Sequence, residues 1–389
     1  MWIGLLVSNL GSWMQLTATG YFIATLAKTP ETAALYLGFQ GLARAVPVIL
    51  LSPIAGVLAD TWPRRTLLFA TNGVLSGLAL LLALLTSMHM MNIVGLIALS
   101  ALNSAAMSFD SPARQSWVPF LVDREYLGNA IGLNSVAFNA PAVLGPAVAG
   151  LLISTIGIAG SFYINAVATL AVVVALVFMR PPPLVPAKRE PLLRSIGEGL
   201  RFLFDHRILR WIISVFIVTA ILARPYSQLL PAFVVNTLHG GANGLGSAYA
   251  ATGIGGFAGA LLTAYLGSHE RRGVLWLWSA AVMSASVVLL GFVTRLWIAL
   301  PVLFIIGLAT LVFLGISNTL IQTLSPDRVR GRAISVYTMV ALGFVPAGAL
   351  IVGSLSALVG LHLGFEIVGG LAMLFVIWLW STRPIIRTV

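Results

Sequence analysis

Apolar runs of about twenty residues, parted by short polar knots, cover nearly all of the chain's 389 residues. A helix needs roughly 20 mostly apolar residues to cross about 30 Å of hydrocarbon. Breaking the sequence at charges and at Gly/Pro/Asn clusters predicts twelve such helices: 2–26, 33–58, 67–85, 92–109, 128–153, 158–179, 211–235, 245–266, 274–293, 297–318, 333–356 and 363–380. One connection is unlike the others. After RPPPLVP (180–186), whose prolines end the sixth span, Leu192, Leu193, Ile196, Leu200, Leu203 and Phe204 recur at helical spacing against Arg194, Glu198, Arg201 and Asp205. That pattern predicts a short amphipathic helix on the membrane surface. The chain is thereby divided into a six-helix bundle over 1–180, a linker over 181–210 and a second six-helix bundle over 211–389.

Composition settles the class. Charged residues make up 8% of the chain and hydrophobic ones 59%, with a mean hydropathy of +1.00, whereas a soluble domain is about a quarter charged. This is an all-α membrane protein. A net charge of +11 in a soluble protein would point to nucleic acid; here no nucleic-acid partner is expected, because loop cations in membrane proteins collect on the cytoplasmic side. Eighteen cations fall on one side: Arg64, Arg65, Arg114, Arg124, seven between Arg180 and Arg210, then Arg271, Arg272, Arg328, Arg330, Arg332, Arg383 and Arg387. The other side has Lys28 and Arg295. Both termini share the basic side, so both are expected in the cytoplasm, at a bacterial-type inner membrane. The chain has no cysteine, which excludes disulfides and thiolate chemistry. Met1 runs straight into apolar sequence, and the first segment is read as a retained span rather than a signal.

The two halves echo one another. Arg64-Arg65 and Arg271-Arg272 lie 207 residues apart, as do Gln115 and Gln322, and Pro119 and Pro326. Gly145 and Gly150 precede Gly348 and Gly353 by 203. Several coincidences at nearly one spacing indicate an internal six-span duplication, an arrangement found in secondary transporters.

The knot GVLADTWPRR (56–65) then resembles the loop signature of the major facilitator superfamily, G-x-L-A-D-R-x-G-R-[RK], with Gly56, Leu58, Ala59, Asp60, Arg64 and Arg65 matching. Thr61 and Pro63 depart from it, and the second-half copy has Gly267 where Asp60 would be. SNLGSWMQ (8–15), FDSPARQSWVPFLVDREYLGNAIGLNS (109–135), SIGEGLRFLFDHRILR (195–210) and SPDRVRGRAISVYT (325–338) resemble the efflux branch that holds enterobactin-type siderophore exporters and macrolide pumps. The resemblance implies two six-helix bundles around a central cavity. It also implies a cytoplasmic conformational latch in which Gly56, Asp60, Arg64 and Arg65 work with positive partners at the start of span eleven, here Arg330 and Arg332. The run AVLGPAVAGLL (142–152) is similar to the antiporter signature of span five, with Gly145, Pro146 and Gly150 matching. Close helix packing by small residues is the plainer account of the same three positions.

Ionisable groups inside spans are costly, and each is a functional hypothesis. Arg44 in span two and Arg224 in span seven lie roughly 15–20 Å along their helices at 1.5 Å per residue. Few acids are available to them, and a guanidinium fork suits carboxylate, phosphate or catecholate oxygens. They are candidate anion ligands, with Gln15, Gln40, Tyr226, Gln228, Asn134, Asn139 and Tyr337 as further polar lining. Arginines that bond helix carbonyls, water or lipid by snorkelling would give the same sequence.

No nucleotide-binding motif is present. GIGGFAG (253–259) lies mid-span and reads as helix packing, and the five histidines stand singly with no metal-ligand spacing. Neither a catalytic centre nor a cofactor is expected. The resemblance implies a proton gradient as the energy source, and Asp110 at the end of span four is the candidate coupling carboxylate, or else a helix-end residue paired with Arg114. The function expected is secondary active export, by a monomer in the lipid bilayer, of a small amphipathic molecule, anionic if Arg44 and Arg224 face the cavity. A facilitator importing a nutrient or moving a lysophospholipid, and a non-transporting sensor or scaffold of the same fold, remain as alternatives.

Overall fold

The computed structural model describes residues 2–117, 126–178, 192–266 and 272–388. Among the described residues there are helices and no strand. They are α1 (Trp2–Leu26), α2 (Pro30–Thr61), α3 (Arg64–Ser87), α4 (Ile93–Trp117), α5 (Leu127–Phe178), α6 (Leu192–Asp205), α7 (Leu209–Ile221), α8 (Tyr226–Ala232), α9 (Gly241–Leu266), α10 (Arg272–Gly291), α11 (Leu296–Leu324), α12 (Asp327–Val359) and α13 (Leu361–Thr382). A π turn, Phe233–Thr237, follows α8, and a 3-10 turn, Pro384–Thr388, follows α13.

Two of the predicted spans are arms of one element. α5 runs for 52 residues but breaks at Gly157, whose φ of 78° and ψ of 174° no L-residue adopts readily. The seventh span, predicted as one helix, is interrupted. Pro225 has no N–H for the carbonyl four residues back, and the Arg224 N–H reaches five residues to Thr219 O at 2.8 Å. The chain turns between α7 and α8 and then widens into the π turn. α4 passes its predicted end at 109, continuing through Pro112 to Trp117, because Asp110 and Arg114 pair one turn apart on it. α12 starts at Asp327, earlier than the predicted 333, with Pro326 before it and an acid in its first turn, where the helix dipole favours negative charge.

The chain forms two compact units. The first comprises Met1–Ala27, Leu42–Arg189 and Gly241–Ser247; the second comprises Lys28–Gly41, Glu190–Gly240 and Ala248–Val389. Each unit therefore holds the opening turns of one helix from the other half of the sequence, α9 in the first and α2 in the second. The glycines at the 203-residue spacing explain how. In the first unit a Cβ on Gly145 would lie 2.6 Å from Trp13 Cβ on α1, and one on Gly150 would lie 2.5 Å from Gly246 Cα on α9. In the second, a Cβ on Gly348 would strike Ile221 O on α7, and one on Gly353 would lie 2.5 Å from Ala34 O on α2. The same two contacts are made twice, and each needs a residue without a side chain.

The amphipathic segment is the helix α6, and it is docked. Leu203 is fully buried, and a Cβ on Gly199 would come within 2.7 Å of Arg332 O on α12. Its apolar face covers the start of α12 within the second unit.

Candidate functional site

In the second unit, the broken seventh span holds the most exceptional charge. Arg224 lies in the turn between α7 and α8, with its guanidinium carbon 5.8 Å from the centre of the Phe216 ring. Phe216 in turn stacks on Tyr337 at 4.5 Å and on Phe313 at 5.9 Å, and Phe313 stacks on Trp276 at 5.7 Å. This aromatic column joins α7, α12, α11 and α10. Its polar ends are tied down, since Trp276 Nε1 donates to Ser317 Oγ (2.8 Å) and the Tyr337 hydroxyl to Leu314 O (3.1 Å). Arg224 differs. Its Nη1 is shut off from the surface with no hydrogen-bond partner in the protein. Almost every buried donor in a folded protein is paired; among the described residues no acid forms an ion pair with Arg224, and a guanidinium so placed is the group that most needs an anion.

Further predicted residues gather around this turn. Tyr226, the first residue of α8, is buried. The Tyr249 hydroxyl donates to Ser227 O at 3.1 Å. Gln228 lies against Gly41 of α2, beside the buried Gln40. Of the predicted ligands, the second unit thus brings together Arg224, Tyr226, Gln228, Gln40 and Tyr337. Phe216, which carries the guanidinium, escaped the sequence reading because one phenylalanine among many apolar residues gives no signal.

The first unit holds the others, in different roles. Arg44 is half-buried on α2 and already has an interaction partner. Gln15 on α1 accepts from Asn165 Nδ2 on the second arm of α5 at 2.5 Å, which makes it a tie between helices. Asn134 Oδ1 on α5 is buried without a partner. The side chain of Asn139 lies outside the described residues.

Asp110 is buried, 2% exposed, at the centre of a saturated cluster. Its Oδ2 accepts from Arg114 Nε (2.9 Å) and Nη2 (2.6 Å); its Oδ1 accepts from Asn72 Nδ2 (2.6 Å) and Thr71 Oγ1 (3.1 Å). Thr71 and Asn72 come from α3, so the carboxylate bolts α3 to α4. A coupling role would require this cluster to open for the proton. The polar pair Thr71-Asn72 inside an otherwise apolar span was the signal that could have located it.

The latch residues that can be described are each engaged within their own unit. Arg65 Nε and Nη2 donate to Leu176 O (2.8 Å) and Val177 O (2.7 Å), capping the last turn of α5, where a cation suits the helix dipole. Arg330 pairs with Asp327 at 2.7 Å and donates to Gln322 O and Ser325 O, closing the loop before α12. Arg332 forms an ion pair with Glu198 on α6. Gly56 lies within α2, and the side chains of Asp60 and Arg64 lie outside the described residues.

Comparison with known proteins matches this architecture. The family described as transmembrane secretion effector, among those of the major facilitator superfamily, matches residues 1–386. The multidrug efflux pump Tap of Mycolicibacterium fortuitum is 27% identical over 344 residues, covering 86% of this chain and 83% of that protein. The enterobactin exporter EntS of Shigella boydii is 26% identical over 305 residues, covering 78% and 73%. Among solved structures, an inward-facing, unoccupied bacterial homologue of the human lysosomal transporter Spinster superposes with a TM-score of 0.73 at 16% identity, covering 99% of this chain and 97% of that one. A D-xylose-proton symporter superposes at 0.71 and 13% identity, covering 99% and 98%.

Proposed function

We propose an export function for this chain, which belongs to the transmembrane secretion effector family of the major facilitator superfamily. It is an integral membrane protein with that superfamily's twelve-helix fold, and a secondary transporter rather than an enzyme. The proposed direction is outward, across a bacterial inner membrane with both termini in the cytoplasm, by alternating access in a monomer driven by a proton gradient. The named functions of Tap and EntS support export, and the one-sided distribution of loop cations supports the orientation.

The proposed substrate is a small amphipathic anion. The observation that carries this reading is Arg224 Nη1, buried and unpartnered above Phe216. A carboxylate, phosphate or catecholate would satisfy the fork, which the buried aromatic column holds in place from beneath. Arg44 belongs to the other unit, and this reading does not depend on it.

Flux in proteoliposomes with and without a pH gradient tests the proposal, with an anionic catecholate and a lipophilic cation as alternative cargoes. Gradient-driven movement of the anion is expected. Equal, gradient-independent flux in both directions would make the protein a facilitator. Cation export insensitive to Arg224 substitution would place it with polyspecific drug pumps, and no flux over a broad panel would leave a scaffold of the same fold.

A further inference from the structure

Further arginines lie away from the broken span, on the arginine-rich side of the second unit, where α7 and α10 begin and α13 ends. Arg383 and Arg210 flank one indole, their guanidinium carbons 4.7 and 5.9 Å from the centre of the Trp211 ring. Trp211 meets Trp378 edge-on at 5.7 Å. The 3-10 turn Pro384–Thr388 folds back against α10, anchored by Ile386, which is 1% exposed. This return places the Arg387 guanidinium 4.9 Å from the Trp380 ring, with Nη2 donating to Trp380 O. Trp380 meets Trp278 of α10 edge-on at 5.9 Å.

Two features point to a ligand. Arg387 Nε and Arg272 Nε, the latter on the first residue of α10, are both buried with no hydrogen-bond partner in the protein. Neither α7 nor α10 contains an acid, the turn has none, and α13 carries only Glu366 towards its other end. Among the described residues no ion pair involves Arg210, Arg272, Arg383 or Arg387, and Asp205 at the end of α6 is taken by Arg201 at 3.6 Å. An indole lies against the guanidinium of Arg383 and of Arg387. The N–H edge of Arg383 makes no hydrogen bond among the described residues, and of the Arg387 edge Nη2 is held by Trp380 O while Nε is unpaired. Arg383 thus has the geometry for bidentate anion binding. Trp278 and Trp378 are themselves 58% and 43% exposed, as tryptophans are at the boundary between headgroups and acyl chains.

We propose that this corner is a binding site for the phosphodiester headgroup of an anionic phospholipid in the leaflet on the arginine-rich side. Arg383 supplies the fork and Arg387 its unpaired Nε and its charge, and the exposed indoles lie along the first acyl carbons. Basic pockets beside membrane helices recognise lipid phosphates in this way. A lipid is favoured over free phosphate because the cluster is rimmed by exposed tryptophan. The inference is independent of the transported substrate, since none of these residues belongs to the Arg224 turn.

Native mass spectrometry of the purified full-length protein tests it, with phosphatidylglycerol, phosphatidylcholine and inorganic phosphate as probes. The wild type should retain phosphatidylglycerol in preference to phosphatidylcholine, and millimolar inorganic phosphate should not displace it. The double variant Arg383→Gln/Arg387→Gln should bind phosphatidylglycerol roughly tenfold more weakly, the size of a charged hydrogen bond lost. Arg201→Gln, which also removes a positive charge but on the exposed face of α6, should bind as the wild type does. If the double variant does not fold, Arg387→Lys should give an intermediate loss, because lysine keeps the charge without the Nε donor. Equal retention of the two lipids by the wild type, or unchanged phosphatidylglycerol binding in the variants, would overturn the site. Displacement by inorganic phosphate would reduce it to an anion site with no claim on lipid.

Discussion

Asp110 and Arg224 are both charges set inside apolar helices, and the protein treats them in opposite ways. Asp110 receives four hydrogen bonds from three fixed side chains, with Arg114 as its counter-ion on the next turn. Arg224 has an aromatic face beneath it and nothing on Nη1. Taking an ion out of water costs several kcal/mol even after the protein relaxes. For Asp110 that cost is offset by partners that belong to the fold. For Arg224 the offset must come from something outside the chain, or the site would be more stable without the charge. The first arrangement is that of a bolt and the second that of a receptor.

The strongest attempt to break this contrast is Asp110→Ala. It leaves Arg114 buried and unpaired, so unfolding free energy should fall by about 3–5 kcal/mol, the usual penalty for breaking a buried pair. Denaturation of the purified protein in detergent would read this directly. Replacing both residues at once, as Asp110→Leu with Arg114→Met, should recover most of the loss, because no orphan charge remains. An Asp110→Ala protein of normal stability that had lost only gradient-driven flux would reverse the assignment and make Asp110 a proton carrier.

Arg224→Gln probes the other side. Stability should change little or rise, while binding of an anionic substrate should weaken by about 1–3 kcal/mol, the range for a charged hydrogen bond left unmade. Arg224→Lys should restore part of the binding, since it supplies charge without the planar fork. Equilibrium binding to the detergent-solubilised protein separates the two variants. A large fall in stability with unchanged binding would make Arg224 a second bolt.

The contrast was half legible in the chain. Length and hydropathy divided residues 128–179 into two spans, and the break at Gly157 fell between them. The break beside Arg224 was not found. Residues 211–235 are apolar enough to read as one helix, and hydropathy does not register a hydrogen bond that Pro225 cannot donate. Asp110 and Arg114 could be paired from their four-residue spacing alone. Thr71 and Asn72, which complete the cluster, come from another helix, and nothing local says that two polar residues in one span face an acid in the next. Gly145, Gly150, Gly348 and Gly353 were recognised as two equivalent pairs; which helices they admit needed the structure. Arg332 carries a related lesson, since its ion pair with Glu198 on the linker helix joins residues 134 apart that nothing in the local sequence links.

A milder test uses a partner whose charge can be changed without mutation. His206 lies between α6 and α7, and its Nδ1 accepts from the N–H groups of Ile208 and Leu209, each at 3.2 Å. The ring caps the start of α7 as an acceptor, which requires the neutral form. Burial holds its pKa below the ordinary 6.5. A base whose folded-state pKa is depressed contributes stability that is complete above its unfolded value and lost as pH falls through the folded one. The melting temperature should therefore be flat above about pH 7 and fall as the solution is acidified below about 6.5, the full loss being that of a helix cap, about 1 kcal/mol. His206→Asn, which can cap but does not titrate in that range, should flatten the profile. An unaltered slope in that variant would assign the acid sensitivity elsewhere.

The smallest effect is expected where water does part of the partnering. Glu198 and Arg332 form an ion pair like that of Asp110 and Arg114, but their side chains are 39% and 21% exposed. Solvent screens such a pair, and most pairs of this kind contribute about 0.2–1 kcal/mol. Glu198→Gln should lower unfolding free energy within that range, and the difference should shrink in molar salt, where the screening length is about 3 Å. The docking of α6 should survive, because Leu203 is buried and Gly199 keeps the helix close to α12. Protease accessibility of the α6–α7 connection would report this independently of stability. If Glu198→Gln instead freed α6 or matched Asp110→Ala in its effect, burial would not be what sets the strength of charge pairs in this protein, and the contrast between Asp110 and Arg224 would lose its physical basis.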